Sequence, residues 1–368
     1  MFSKSKRLKV LALLGISLAA LACVAIAPAV WSTDTACRIG LVWKRHRTEE
    51  AFAAQSGEIS IRNLWNVKIP LDAMQVYDEQ IFVTDRNCNE VVAYDLRSGD
   101  TEWSVDFGHP DRLAVNAIRN ELYISGGWSW QRRLMAVDLD TSQKRWLNKS
   151  QDFKRIGITP RVLSDGRLVV FGIKPGPRLV NLDTGEIGSA LNQSPYQFVE
   201  HESDWRWRWD GKRITATDFF ETEVSWTSAE LELPNGSLWA IRRDENMVVA
   251  FFSIIDQATP WDSPEKIVAF TFDDGEPQWE AQSYPSSTNV AVAGGRVYQV
   301  QKGMYLTIRN LSDGEELAHV AFVKDHREQQ ELDMMFTIDI MFEVYGDLLV
   351  VYFVGDETLS VYEMDSLE

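Results

Sequence analysis

The chain has 368 residues, is 45% hydrophobic and 25% charged, and carries a formal net charge of −17. Its length allows two domains. The acidic surplus disfavours nucleic acid and anionic lipid surfaces as partners, and its first meaning is solubility.

The N-terminus carries Lys4, Lys6, Arg7 and Lys9, and then Val10 to Trp31 without a charge. A basic region followed by an apolar run is an export signal, and this run is also long enough to span a bilayer. Ala27-Pro28-Ala29 offers a small-x-small cleavage pattern, and Ala20-Leu21-Ala22-Cys23 a poor lipidation site. A retained anchor, a cleaved signal and a lipidated end therefore all stay open. In each case the rest of the chain is exported to a periplasmic or extracellular space, with membrane contact through this segment only. Without the four leader cations the remaining chain carries −21. Residues 1–31 are read as signal or anchor, 32–60 as linker and 61–368 as the folded domain. Cys37 and Cys88 are the two cysteines outside the apolar run, and an oxidising compartment allows a disulfide between them.

Downstream the chain repeats itself. Ala93 to Trp103 reads A-x-D-x-x-S-G-x-x-x-W, and Ala136 to Trp146 reads A-x-D-x-x-T-S-x-x-x-W. The same spacing leads to Trp226 and Trp279, and degenerate copies start at Leu179, Ile308 and Val361. The equivalents of Asp95 are Asp138, Asn181, Asp218, Thr271, Asn310 and Glu363, about 45 residues apart on average. That period is the mark of a four-stranded propeller blade. Each copy ends one apolar run, turns through residues such as Arg97-Ser98-Gly99-Asp100, and enters another. The turn glycine supplies a positive φ, and Asp or Ser bonds the nearby backbone.

Ahead of the anchors lie the runs at Ile81, Leu122, Leu168, Met247, Val297 and Leu348. They are apolar with little alternation, which suits strands buried on both faces. The seventh copy ends before its tryptophan position, whereas Trp65 stands before Asp95 with no anchor of its own. The reading is an all-β, seven-bladed β-propeller. A strand near residues 61–69 completes the last blade and leaves no open edge.

These residues resemble the quinoprotein-type propeller repeat, a family of pyrroloquinoline-quinone enzymes and non-enzymatic relatives that includes an outer-membrane assembly lipoprotein. The resemblance covers roughly residues 60–368, although its members are usually eight-bladed. Quinone enzymes of the family use acidic calcium ligands and, in many, a disulfide between adjacent cysteines. This chain has no Cys-Cys pair and no Cys-x-x-Cys-His haem motif. Its five histidines show no metal spacing, and it has no nucleophile elbow or phosphate loop. No cofactor, metal or catalytic residue is expected.

The candidate binding residues lie in long loops. Trp128, Trp130, Arg132 and Arg133 belong to the loop after Gly126, and Trp261 to the stretch from Asp256 to Glu265. Both loops belong to one end of a propeller, and exposed Trp and Arg dominate binding hot spots. The plainer alternative is that these loops pack back on their own blades. Trp205-Arg206-Trp207-Arg208-Trp209 alternates, which puts three tryptophans on one face and Arg206 with Arg208 on the other. Buried arginines need partners, and flanking Asp204 and Asp210 offer a local ion-pair network; the functional alternative is an Arg pair reaching a groove. The expected function is an exported, non-enzymatic scaffold for a protein or peptide. The alternative is an enzyme or small-ligand binder that uses the central channel.

Overall fold

A computed structural model describes residues 53–56 and 59–366, except 129–131, 150–157, 172–175, 192–199, 203–204, 219–223, 234–235, 245, 255–264, 284–285, 302–304, 322–339 and 355–356. All of these lie in one compact unit, Arg47–Glu368. The leader, Cys37, Trp130 and Trp261 lie outside the described residues. Among the described residues no helix is long and apolar enough to cross a membrane.

Seven antiparallel sheets follow one another along the chain. Blades 1 to 6 occupy residues 74–106, 110–148, 159–190, 200–227, 236–283 and 286–321. Each is a four-stranded meander of consecutive strands. The seventh sheet takes Ile340–Tyr345, Leu348–Phe353 and Thr358–Ser366 from the end of the chain and Ala53–Ser56 and Ile59–Lys68 from its start. The strand Ile59–Lys68 pairs with Thr358–Ser366, setting Asn63 against Tyr362 and Trp65 against Val361. Strand pairing begins ahead of residue 61, with Ser56 against Ile59, so the sheet takes in part of the segment read as linker. Ala53–Ser56 has no β-branched or aromatic residue, which is why its sequence gives no strand signal.

The apolar runs form the middle strands, and apolar clusters fill the seams between blades. Phe82, Val91 and Ala93 of blade 1 pack with Leu122, Ile124 and Met135 of blade 2. Trp65, Tyr94 and Val350 join the last blade to the first. A strand covered on both faces has no solvated side, so the sequence alternation disappears.

The turns fall into two sets at opposite ends of the blades. Leu96 N–H bonds the Glu79 carbonyl and Leu139 N–H the Asn120 carbonyl, tying each first hairpin to the repeat hairpin of its own blade. At the other end, Phe107 N–H bonds the Asn89 carbonyl and Gly127 N–H the His109 carbonyl. Blade connections and second-to-third strand loops thus share that second end.

The repeated tryptophans act on the next blade. The Nε1–H of Trp65 donates to the Leu96 carbonyl at 2.9 Å. Trp146 donates to Leu182 and Trp279 to Leu311, both at 2.7 Å. Each indole then lies over the turn glycine that follows its acceptor. A Cβ on Gly99, Gly185 or Gly314 would stand 2.6, 2.3 or 2.6 Å from the indole above it. Glycine is needed here because the ring occupies the side-chain position, and also because φ is positive. Trp226 instead stacks on Phe272, with ring centroids 6.1 Å apart and planes at 6°. Trp103 is half-buried and has no such seat.

Candidate functional site

The end bearing the blade connections carries the best-defined surface feature. Asp85 accepts the N–H groups of Asn87 and Cys88 at 2.8 and 3.1 Å, which folds the loop of blade 1. Asn89, in left-handed conformation at φ 56°, receives the N–H groups of Phe107 and Gly108. His109 follows at φ 61°, next to Pro110. These turns direct the connection from blade 1 to blade 2 under the loop that holds Trp128.

Trp128 is 52% exposed. Its indole meets the His109 ring edge-on, with centroids 3.8 Å apart. Beneath it, Arg133 donates to the Phe107 carbonyl at 3.0 Å. Arg132 pairs with Asp111, whose carboxyl is pushed up by burial, against the opposing pull of Arg132. The structure thus places Trp128, Arg132 and Arg133 together against the 107–111 segment, in two different roles. The two arginines are half-buried, Arg132 held by Asp111 and Arg133 by the Phe107 carbonyl. The indole is presented to solvent. Sequence reasoning missed His109, although Gly108-His109-Pro110 at a blade junction is a turn signal.

The Trp205–Trp209 strand divides as alternation predicts on its aromatic face. Trp207 is fully buried, with Trp205 and Trp209 packed around it in the seam between blades 4 and 5. The two arginines do not share one environment. Arg206 is 6% exposed and donates to the Asp218 carbonyl at 2.9 Å, and its burial lowers its pKa. Arg208 is exposed, so two buried arginines do not occur there. Asp210 spends its carboxylate on the N–H groups of Lys212 and Arg213, at 2.8 and 2.7 Å. Asp204 lies outside the described residues.

Cys88 is disulfide-bonded, and its partner lies outside the described residues. Asp85, Cys88 and Glu90 bring ligand-type atoms within 4.8 Å of one another. A sulfur already in a disulfide cannot serve as a thiolate ligand, so two carboxylates are left, too few for a metal cage. Elsewhere, the Glu343 carboxylate accepts the Val76 N–H at 2.6 Å, bridging the innermost strands of the last and first blades. Burial pushes this carboxyl up to about 8 despite that hydrogen bond.

No protein-family model matches the chain, and no curated protein matches it. Solved structures do match its fold. Hydrazine synthase of Kuenenia stuttgartiensis superposes with a TM-score of 0.52 at 12% identity, over 81% of this chain and 96% of that one. The Cps50 (Swd1) β-propeller domain of Myceliophteria thermophila gives 0.50 at 11% identity, over 86% and 98%. BamB of Moraxella catarrhalis gives 0.49 at 14% identity, over 82% and 99%. The chain has the β-propeller fold. One of these neighbours is an enzyme by name and another a propeller domain, so the fold assigns no activity.

Proposed function

We propose that this protein is an exported, non-catalytic propeller scaffold, a relative of the quinoprotein-type repeat family, that docks a protein or peptide partner at the end bearing Trp128. The observation that carries this reading is the exposed Trp128 indole, half in solvent and set edge-on to His109, with Arg133 held on the Phe107 carbonyl of the same connection. A large aromatic surface already held against the His109 ring loses little entropy on binding, which is how interface hot spots arise. Export rests on the basic and apolar leader, and a disulfide at Cys88 fits an oxidising compartment.

The test places a photo-crosslinking phenylalanine analogue at position 128 and, as control, at Asp273 in a repeat hairpin. The expected result is one specific adduct from position 128 in the native membrane fraction, and loss of the captured partner in Trp128→Ala with unchanged thermal unfolding. Equal adducts from both positions, or capture undiminished in Trp128→Ala, would assign the partner surface elsewhere.

A further inference from the structure

The seam between blades 1 and 2 departs from the pattern of its neighbours. In the repeat hairpin of blade 2, Ser142 stands where Gly99, Gly185 and Gly314 stand in theirs, with φ 55°. Its Cβ fills the position that an indole takes at the other three. Trp103 therefore has no seat on the Leu139 carbonyl. It leans on Phe82 at 5.6 Å, and its Nε1–H has no acceptor.

A cavity of about 420 Å³ opens beside it. Trp103, Tyr77 and Leu139 give it apolar walls, and Asp78, Glu102 and Asp140 border it. All three acids are exposed, and none is in an ion pair among the described residues. Glu102 accepts the Gln80 amide. Acids are common on a chain of charge −17 and define nothing alone. What sets these apart is an indole-walled cavity at the place where the packing pattern fails. Its volume falls within the range of small-molecule sites. An indole beside carboxylates is the kind of environment that holds organic cations.

We propose that this cavity binds a small organic cation, an alkylammonium or guanidinium group lying against the Trp103 indole and neutralised by Asp78, Glu102 and Asp140. The site is at the end opposite Trp128 and is independent of the partner reading. The cation comes either from a free amine or from an arginine side chain, and both present the same group. Ser142 acts as a positioning residue, because its side chain keeps the neighbouring indole off the hairpin.

The test is isothermal titration of the full-length protein at low salt with agmatine and, separately, with a capped pentapeptide holding one central arginine. Saturable binding is expected in at least one arm. Trp103→Ala and Ser142→Gly should each weaken it about tenfold or more. Ser142→Gly closes the cavity without removing any wall, and its thermal midpoint should not fall, which separates lost binding from lost fold. Binding of the peptide alone assigns a partner's side chain, and binding of agmatine alone a free amine. Saturation by neither probe, or affinity unchanged in Ser142→Gly, would overturn the proposal.

Discussion

Trp146 and Trp103 hold the same repeat position one blade apart, and only Trp146 is docked. Trp146 is 9% exposed, bonds the Leu182 carbonyl and covers Gly185. Trp103 is half-buried, unbonded and borders a cavity. The tryptophans are identical, so the cause lies in the partner hairpin: Gly185 for one and Ser142 for the other. A repeat residue therefore has no fixed structural value. Its contribution depends on a residue about 40 positions later, in the next blade.

The largest effect expected concerns the seam between the last blade and the first, where Trp65 docks on Leu96. Deleting residues 53–68 removes two strands of that sheet and exposes the edge at Thr358–Ser366. Cooperative thermal unfolding should be lost, or its midpoint should drop far below that of any point variant. A near-native midpoint would show that the ring does not need this strand.

Gly185→Ala comes next. The new methyl meets the Trp146 ring and must also adopt φ 71°. Left-handed strain, overpacking and a lost hydrogen bond together suggest about 2–4 kcal/mol in chemical denaturation. Trp146→Ala should cost about 3–5 kcal/mol as a buried large-to-small change. Trp103→Ala should cost less, about 1–2 kcal/mol, since part of its surface already faces solvent and no hydrogen bond is lost. Equal costs at the two tryptophans would remove the distinction between the seams.

Glu343, between the last blade and the first, makes stability depend on pH. Burial raises its folded pKa to about 8, above the 4.5 of a free glutamate, so the native state binds the proton more tightly. Stability is then highest below the unfolded pKa and declines as pH rises through the window from 4.5 to about 8. Glu343→Gln, neutral at every pH, should flatten that part of the stability profile. An unchanged slope would place the titrating group elsewhere.

Much of the fold could be read in the chain. Asp95 and its equivalents count the blades, and apolar runs such as Ile81-Phe82-Val83 are buried on both faces, as their lack of alternation implies. The seams are another matter. The change from Ser98-Gly99 to Thr141-Ser142 is visible in the sequence, yet its consequence falls on Trp103, in a different blade. Trp226 fits the spacing, and it stacks on Phe272 because the hairpin glycine there, Gly275, is taken up by the backbone of Thr227. The site shows the same division. Trp128 is exposed as a loop tryptophan can be, but the anchoring of Arg132 on Asp111 and Arg133 on Phe107 joins segments that local pattern does not connect. Likewise, Arg206 and Arg208 alternate correctly, and only the assembled seam decides that one is buried and the other exposed.

The measurement that bears most directly on this account is the crystal structure of Ser142→Gly, with its thermal midpoint. The Trp103 indole should swing onto the hairpin, with Nε1 about 2.9 Å from the Leu139 carbonyl oxygen. The cavity should close, and the protein should gain about 1 kcal/mol from the new hydrogen bond. A Trp103 that stays beside an open cavity with glycine at position 142 would contradict it.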